Sequence, residues 1–355
     1  MTPGSPSGAG ASIALGIDIG GTKVLGVAID RDDRVVAEAR VATPHAATDP
    51  DRREAAAVGA DVAEAVADVV AALRRSVGGS TAVGGSSPSG GPTGEPPIGE
   101  WPVGAGAPGL VDRDGVLRFS PNLPGAAGAG LRNLLADRLP GAALVVENDA
   151  NCAAVAEHRL GAARGADHAL VVTLGTGIGA GLVVGGRLVS GRSGFAGEAG
   201  HMIVDPTGPP CPCGQRGCWE RYASGGGLGR LAREAAYAGR LPEVVGSAGG
   251  DPELVRGEDV TRAALDGDAG ALAVMDDLGW WVALGLANLT ALVDPDRIVL
   301  GGGLAGAGEL LLAPARRAFA GLVEGGDARP AVPIVPAAFG ERAGAIGAAL
   351  AARAG

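Results

Sequence analysis

Short runs of apolar residues fill 13–29 on both sides of a Gly-Gly-Thr break, which predicts a strand, a tight turn and a second strand. From 52 to 75 the period changes. Val58, Val62, Val66, Val69 and Leu73 recur at threes and fours, the spacing of one buried helix face. Residues 78–97 have no period: 15 of these 20 are Gly, Pro or Ser, so a mobile surface loop without chemistry of its own is expected there. Strand-like runs return at 103–111 and 144–146, the second ending on Glu147-Asn148-Asp149 and leading into a helix through about Leu160. A second hairpin with its own Gly/Thr turn is predicted over 169–189. Helical patterning then dominates until a strand at 297–300 runs into Gly301-Gly302-Gly303. A strand at 332–336 and a helix at 343–352 close the chain. Two halves that each open with strand, Gly/Thr turn and strand point to a duplicated α/β architecture with a cleft between two lobes.

The length of 355 residues allows one large or two medium domains, and 46 % apolar residues argue for a globular protein. Gly and Pro together make up about a quarter of the chain. Ala and Arg are heavy too, as codon bias from a GC-rich genome would produce, so the glycine count carries less weight. The net charge of −10 argues against a nucleic-acid or anionic-membrane partner. Residues 1–12 have neither a basic nor an apolar segment of a secretory signal, so a cytoplasmic protein is expected. Of two uncharged runs near membrane length, 169–186 is broken by glycines and by Thr173 and Thr176, which suits a hairpin. The other, 278–293, is about a turn short of the roughly 20 residues of a comfortable span and reads as a buried or interface helix. Its Trp280 and Trp281 fit either a core or a subunit interface, and on that ground a homodimer or homotetramer is expected.

Candidate chemistry begins at the two glycine turns, Asp18-Ile19-Gly20-Gly21-Thr22-Lys23 and Leu174-Gly175-Thr176-Gly177-Ile178-Gly179. Each sets backbone N–H groups and a hydroxyl at a hairpin tip, where glycine lets the backbone approach phosphate oxygens closely. Asp18 can hold a hydrated Mg²⁺, and Lys23, the single lysine of the chain, can lie near phosphates. Two ordinary hairpins remain the competing reading. A Walker A loop fails because Lys23 follows Thr22 and precedes Val24. Gly104-Ala105-Gly106-Ala107-Pro108-Gly109 matches a dinucleotide fingerprint in form only, since Pro108 stands where a helix must begin.

Glu147-Asn148-Asp149-Ala150-Asn151 sits where a strand gives way to a helix, at the mouth of an α/β sheet. Either Asp149 accepts a hydroxyl proton while Asn148 binds a sugar, or one of them merely caps the helix. His201 with Cys211, Cys213 and Cys218 makes the Cys₃His set of a closed, structural zinc site. Such crowding in a chain with no export signal favours metal over disulfides. Glu198 and Glu220 flank it, and fixed carboxylates are good acceptors for vicinal sugar hydroxyls. Cys152 stands apart and reads as a small buried apolar residue.

Together these residues resemble the ROK family (bacterial repressors, open reading frames and sugar kinases), in particular its ATP-dependent glucokinases. The likeness rests on Asp18–Lys23, Ser120-Pro121-Asn122-Leu123-Pro124-Gly125, Glu147–Asn151, 174–201, 211–220 and 294–303, and so spans nearly all of 13–352. It implies a two-lobed actin/hexokinase-type, ribonuclease H-like fold, with a small lobe of 13–121 plus 337–355 and a large lobe of 122–336 carrying the zinc. It implies Asp149 as general base on the 6-hydroxyl of glucose. Asn122, Asn148, Glu198, His201 and Glu220 become sugar contacts, His201 serving the zinc as well. ATP and Mg²⁺ fall to Asp18, Gly20, Gly21, Thr22, Lys23, Gly175, Thr176, Gly177 and Gly179, with Gly301, Gly302 and Gly303 flanking the adenosine. Kinases for N-acetylmannosamine, N-acetylglucosamine or fructose, polyphosphate as donor, and a sugar-sensing regulator without turnover stay open. Two departures from the family's pattern stand out. Only a dozen or so residues precede the first strand, too few for a repressor's DNA-binding module. The prolines at 97 and 102 predict an irregular entry to the strand at Val103.

Overall fold

The computed structural model describes residues 13–44, 55–81 and 101–354. The chain divides into two compact units, 1–156 with 191–195 and 342–355, and 157–190 with 196–341. In the first unit β1 (Ala14–Ile19), β2 (Lys23–Ile29) and β3 (Val35–Ala42) form an antiparallel meander, followed by α1 (Ala55–Thr81). All five periodic positions of α1 are buried. Each such side chain contributes roughly 1.5–3 kcal/mol when taken out of water. The helix runs past the expected end at Arg75, so 78–81 are its last turn, and the rest of the expected 78–97 loop lies outside the described residues.

After β4 (Val103–Ala107) come the small hairpin of β5 (Leu110–Val111) and β6 (Leu117–Phe119) and then α2 (Leu131–Arg138). β7 (Leu144–Asn148) leads directly into α3 (Asp149–Arg159). β4 pairs in parallel with both β1 and β7, giving the order β3-β2-β1-β4-β7. That pairing carries the first unit to Ala156, beyond the break expected after 121, because β7 cannot leave the sheet whose edge it forms. The entry to β4 is also regular. Pro102 needs only its carbonyl there, which accepts from the Leu15 N–H at 2.9 Å, and the register with β1 holds from Val103 onward.

The second unit repeats the frame. β8 (Ala169–Leu174), β9 (Ile178–Val184) and β10 (Arg187–Leu188) are antiparallel, and the sheet order is β10-β9-β8-β11-β12. Between β10 and β11 run α4 (Glu220–Ala223), α5 (Gly225–Tyr237), α6 (Pro242–Ser247), α7 (Gly257–Leu265) and α8 (Ala269–Val293). β11 (Arg297–Gly301), α9 (Glu309–Leu322) and β12 (Ile334–Pro336) follow, with β11 parallel to both of its neighbours.

α8 begins nine residues before the uncharged run because Asp268 caps it, its Oδ1 accepting from Ala271 N–H at 2.7 Å. At 25 residues it is long and apolar enough to cross a membrane by length and composition. Half of its apolar stretch is buried, however, with Val274, Leu278, Val282, Leu286 and Leu289 in the core of the second unit. Trp281 stacks on Tyr222 at 4.0 Å and its carbonyl accepts from Trp219 Nε1, whereas Trp280 is exposed.

The chain returns to the first unit as α10 (Ala343–Ala354), which lies down on β1 and β4. Gly16 and Gly104 are register partners, and a Cβ on either would stand 1.9 Å from a backbone oxygen of α10, that of Ala345 or Ala348. The glycine spacing that imitates a dinucleotide fingerprint is therefore a packing requirement.

Candidate active site

In the first unit the sheet itself assembles an acidic row. Asp18 at the end of β1 is the register partner of Gly106 on β4, and Gly106 is the partner of Glu147 on β7. A Cβ on Gly106 would come within 3.3 Å of Asp149 Cα and of Cys152 Sγ, so the missing side chain leaves the start of α3 room to sit over the row. Burial, with the Asp149 charge adding to it, pushes the Asp18 carboxyl up to about 7, while Lys23 pulls the other way. Burial also raises Asp149, against the N–H of Ala150 that its Oδ1 accepts at 2.8 Å. A carboxylate raised in this way is a stronger base, as proton abstraction from a hydroxyl requires.

The capping alternative resolves onto Asn148. Its Oδ1 accepts from the Asn151 N–H at 3.0 Å, and its amide donates to the Gly109 carbonyl at 3.1 Å. Glu147 Oε1 steadies the same turn through Asn148 N–H and Asn151 Nδ2. Cys152 is fully buried, as expected of an apolar stand-in. The first glycine turn is closed by Gly20 N–H to the Lys23 carbonyl at 2.9 Å, and Gly21 lies against the exposed Asn122.

In the second unit His201, Cys211, Cys213 and Cys218 bring one donor atom each within 4.8 Å of one another. Cys213 and Cys218 sulfurs are 3.6 Å apart, and Cys211 Sγ is 3.8 Å from His201 Nδ1. A tetrahedron with metal–sulfur bonds of about 2.3 Å has edges of about 3.7 Å, so the cluster fits a zinc ion. Burial pushes the Cys211 and Cys218 thiols up, so a cation is needed to hold them as thiolates. The loop closes tightly: a Cβ on Gly217 (φ 65°) would fall 1.5 Å from the Asp205 carbonyl oxygen. Glu220 Oε1 stands 3.1 Å from Cys211 Sγ and 3.7 Å from His201 Nδ1, and Glu198 Oε2 is 3.9 Å from His201 Nε2. The cluster thus gathers both flanking carboxylates around one imidazole.

The second glycine turn splits into two roles. A Cβ on Gly177 would meet Glu220 Oε2 at 2.5 Å, so Gly177 faces the carboxylate beside the Cys₃His cluster. Gly175 and Thr176 instead line a cavity of about 970 Å³ with Gly225, Gly226, Leu228, residues of α7, Gly303, Leu304 and Ala307. Gly302, at φ 83°, packs its Cα onto Leu174, where a Cβ would be 2.4 Å from the carbonyl oxygen, and with Gly301 lies outside the lining residues. Gly179 pairs with Thr173 inside the hairpin.

Several contributors escaped the sequence. Glu258, Thr261, Arg262 and Leu265 of α7 line the cavity, yet no local pattern marks them. Gly225 and Gly226 carry a faint signal, the run of three glycines after Ser224, whose Oγ caps α5 through Gly227 N–H at 3.2 Å. Glu157 is fully buried, and its carboxylate accepts from the N–H groups of Ala162, Ala338 and Phe339.

The ROK family model matches residues 99–354. The glucokinase of Streptomyces coelicolor (strain ATCC BAA-471 / A3(2) / M145) is 34 % identical over 344 residues, 96 % of this chain and 98 % of that protein. Among solved structures, a ROK family glucokinase from Streptomyces griseus in complex with glucose and AMPPNP superposes with a TM-score of 0.78 at 36 % identity. That superposition covers 97 % of this chain and 100 % of that one. The ROK hexokinase from Thermus thermophilus gives a TM-score of 0.68 at 34 % identity over 95 % and 97 % of the two chains.

Proposed function

The chain belongs to the ROK family, and on that premise we propose that it is an ATP-dependent glucokinase. The observation that carries this reading is the end-to-end likeness to a glucokinase whose structure holds glucose and a nucleotide. The raised, buried Asp149 supplies a base of the required kind.

Asp149 takes the proton of the glucose 6-hydroxyl as that oxygen attacks the γ-phosphorus of ATP. The new oxygen–phosphorus bond forms as the bond to the β,γ-bridging oxygen breaks. ADP leaves with the electron pair, and the proton stays on Asp149. Asn122, Asn148, Glu198, His201 and Glu220 hold the sugar. The turn amides of Gly20, Gly21 and Thr22, with Lys23, hold phosphate oxygens, as do Gly175 and Thr176. Gly303 borders the nucleoside. Asp18 would hold Mg²⁺, which would supply neutralisation of the phosphate charge. His201, Cys211, Cys213 and Cys218 would hold a zinc ion, and in doing so would brace Glu220 and His201 beside the sugar. The expected setting is the cytoplasm, as a homodimer or homotetramer.

Coupled ADP release with a panel of glucose, N-acetylmannosamine, N-acetylglucosamine and fructose tests the substrate, with glucose expected to give the highest kcat/KM. Asp149→Asn is expected to lower kcat by about 10²–10⁴-fold with the glucose KM little changed. Turnover by that variant at the unaltered rate, or a panel led by another hexose, sinks the corresponding half of the proposal.

A further inference from the structure

The lining of the 970 Å³ cavity of the second unit is of two chemical kinds. One is backbone, with Gly175, Thr176, Gly225 and Gly226 at a hairpin tip and a helix start. The other is apolar: Leu228 is buried, Leu304 and Ala307 are half-buried, and Leu265 stands 70 % exposed. The polar side chains that line the cavity are Thr176, Glu258, Thr261 and Arg262, and none of them is buried. Thr261 Oγ1 is already engaged, donating to the Gly257 carbonyl at 3.0 Å. Arg262 is 72 % exposed and leans toward Asp259. Polar groups at such a rim compete with water and discriminate little.

We infer that this cavity selects its phosphoryl donor by apolar contact with the nucleoside and not by the hydrogen-bonding edge of the base. It therefore accepts purine nucleoside triphosphates of either base edge and rejects inorganic polyphosphate. The inference rests on the kinase reading for what enters the cavity. Its physical ground is an asymmetry in recognition. A site of buried hydrogen-bonding partners rejects the wrong partner by about 10⁴–10⁵, because its own groups are left unpaired, whereas an apolar wall separates similar ligands by about 10–200-fold. Leu228, Leu265 and Leu304 offer flat contact to any base, and a bare phosphate chain has nothing to set against them.

Titration calorimetry on the full chain with Mg²⁺ and no sugar tests this, using AMPPNP, its guanine counterpart GMPPNP, and inorganic tripolyphosphate. The two nucleotides are expected to bind within about tenfold of each other. Tripolyphosphate is expected to bind at least about 100-fold more weakly. Leu265→Asp, a change at an exposed position, is expected to weaken both nucleotides by about tenfold while tripolyphosphate binding is unchanged. A preference of more than about 1,000-fold for one base, tripolyphosphate binding as tightly as AMPPNP, or full nucleotide affinity in Leu265→Asp each overturns the inference. Binding is read without catalysis, so the two claims fail separately. A chain that binds nucleotides in the expected pattern yet phosphorylates no hexose sinks the kinase reading and leaves this one standing.

Discussion

The two sheets share one strand order, and their equivalent positions can be compared residue by residue. Two residues before the first turn glycine, β1 carries Asp18; at the same place β8 carries Thr173. The strand beside each answers with a glycine, Gly106 next to Asp18 and Gly301 next to Thr173. Two residues earlier the contrast reverses. The first sheet pairs Gly16 with Gly104 so that α10 can lie against the backbone, and the second pairs Val171 with Val299. One frame has thus been used twice. In the first unit it buries charge under a close-packed helix; in the second it keeps the row uncharged and places its polar chemistry on the turn, the Cys₃His cluster and the cavity.

The sharpest way to break this comparison is to make the rows alike. Asp18→Asn is expected to lower kcat by about 10²–10³-fold, the usual loss when one charge-stabilising group is removed, while Thr173→Val is expected to cost less than about threefold. Stability moves the other way. In the folded, ligand-free protein Asp18 keeps its proton to about 7, whereas the unfolded chain releases it near 3.8. Between those values the folded state binds the extra proton, so this group's contribution falls as pH rises and the penalty is complete above 7. Asp18→Asn removes a penalty on the order of 4 kcal/mol at pH 8 and nothing at pH 3. Chemical denaturation at the two pH values, without Mg²⁺ or nucleotide, reads this directly. A variant no more stable at pH 8 than the unaltered protein contradicts the buried-charge account.

Metal removal comes next and should affect one unit's chemistry only. About one zinc per chain is expected by elemental analysis, and Cys213→Ser is expected to lose it with more than about 3 kcal/mol of stability, since ligand binding and local folding are coupled. The glucose KM is expected to rise at least about tenfold as Glu220 and His201 lose their brace. AMPPNP binding should change less than the glucose KM, because most of the cavity is built from α5, α7 and the segment after β11, and only its Gly175-Thr176 edge adjoins Glu220 through Gly177. Metal-free protein with an unchanged glucose KM contradicts the bracing role.

What the sequence revealed of all this follows the range of the interactions. The Cys₃His set was legible because its three cysteines lie within eight residues, and the turns because glycine and threonine mark them locally. The strand–turn–strand repeat was legible for the same reason, and its shared sheet order bears out the duplication. The acidic row was only half legible. Asp18 and Asp149 each stand in a motif, but Gly106 lies between them only once β4 has paired with β1 and β7. The α7 rim and the buried Glu157 were invisible, since their neighbours lie far away in sequence. Glu157, for example, meets Ala338 across 181 positions.

The smallest expected effect concerns the glycine pair under α10. Gly104→Ala adds one methyl whose ideal position is 1.9 Å from the Ala348 carbonyl oxygen. The helix must shift or the strand must bend, at a cost of about 1–3 kcal/mol. Ala at the equivalent Val299 removes two methyls from a buried site and is expected to cost about as much by the opposite route, lost contact instead of overpacking. The two are separated by a second change in α10. The clash at Gly104 is with backbone, so trimming the helix side chain by Ala348→Gly cannot relieve it. The double variant Gly104→Ala, Ala348→Gly is therefore expected to be less stable than Gly104→Ala alone, by up to about 1 kcal/mol for glycine in a helix interior. Measured recovery of stability in that double variant means that side chains and not backbone set the spacing of α10, and it removes the packing half of the contrast between the two sheets.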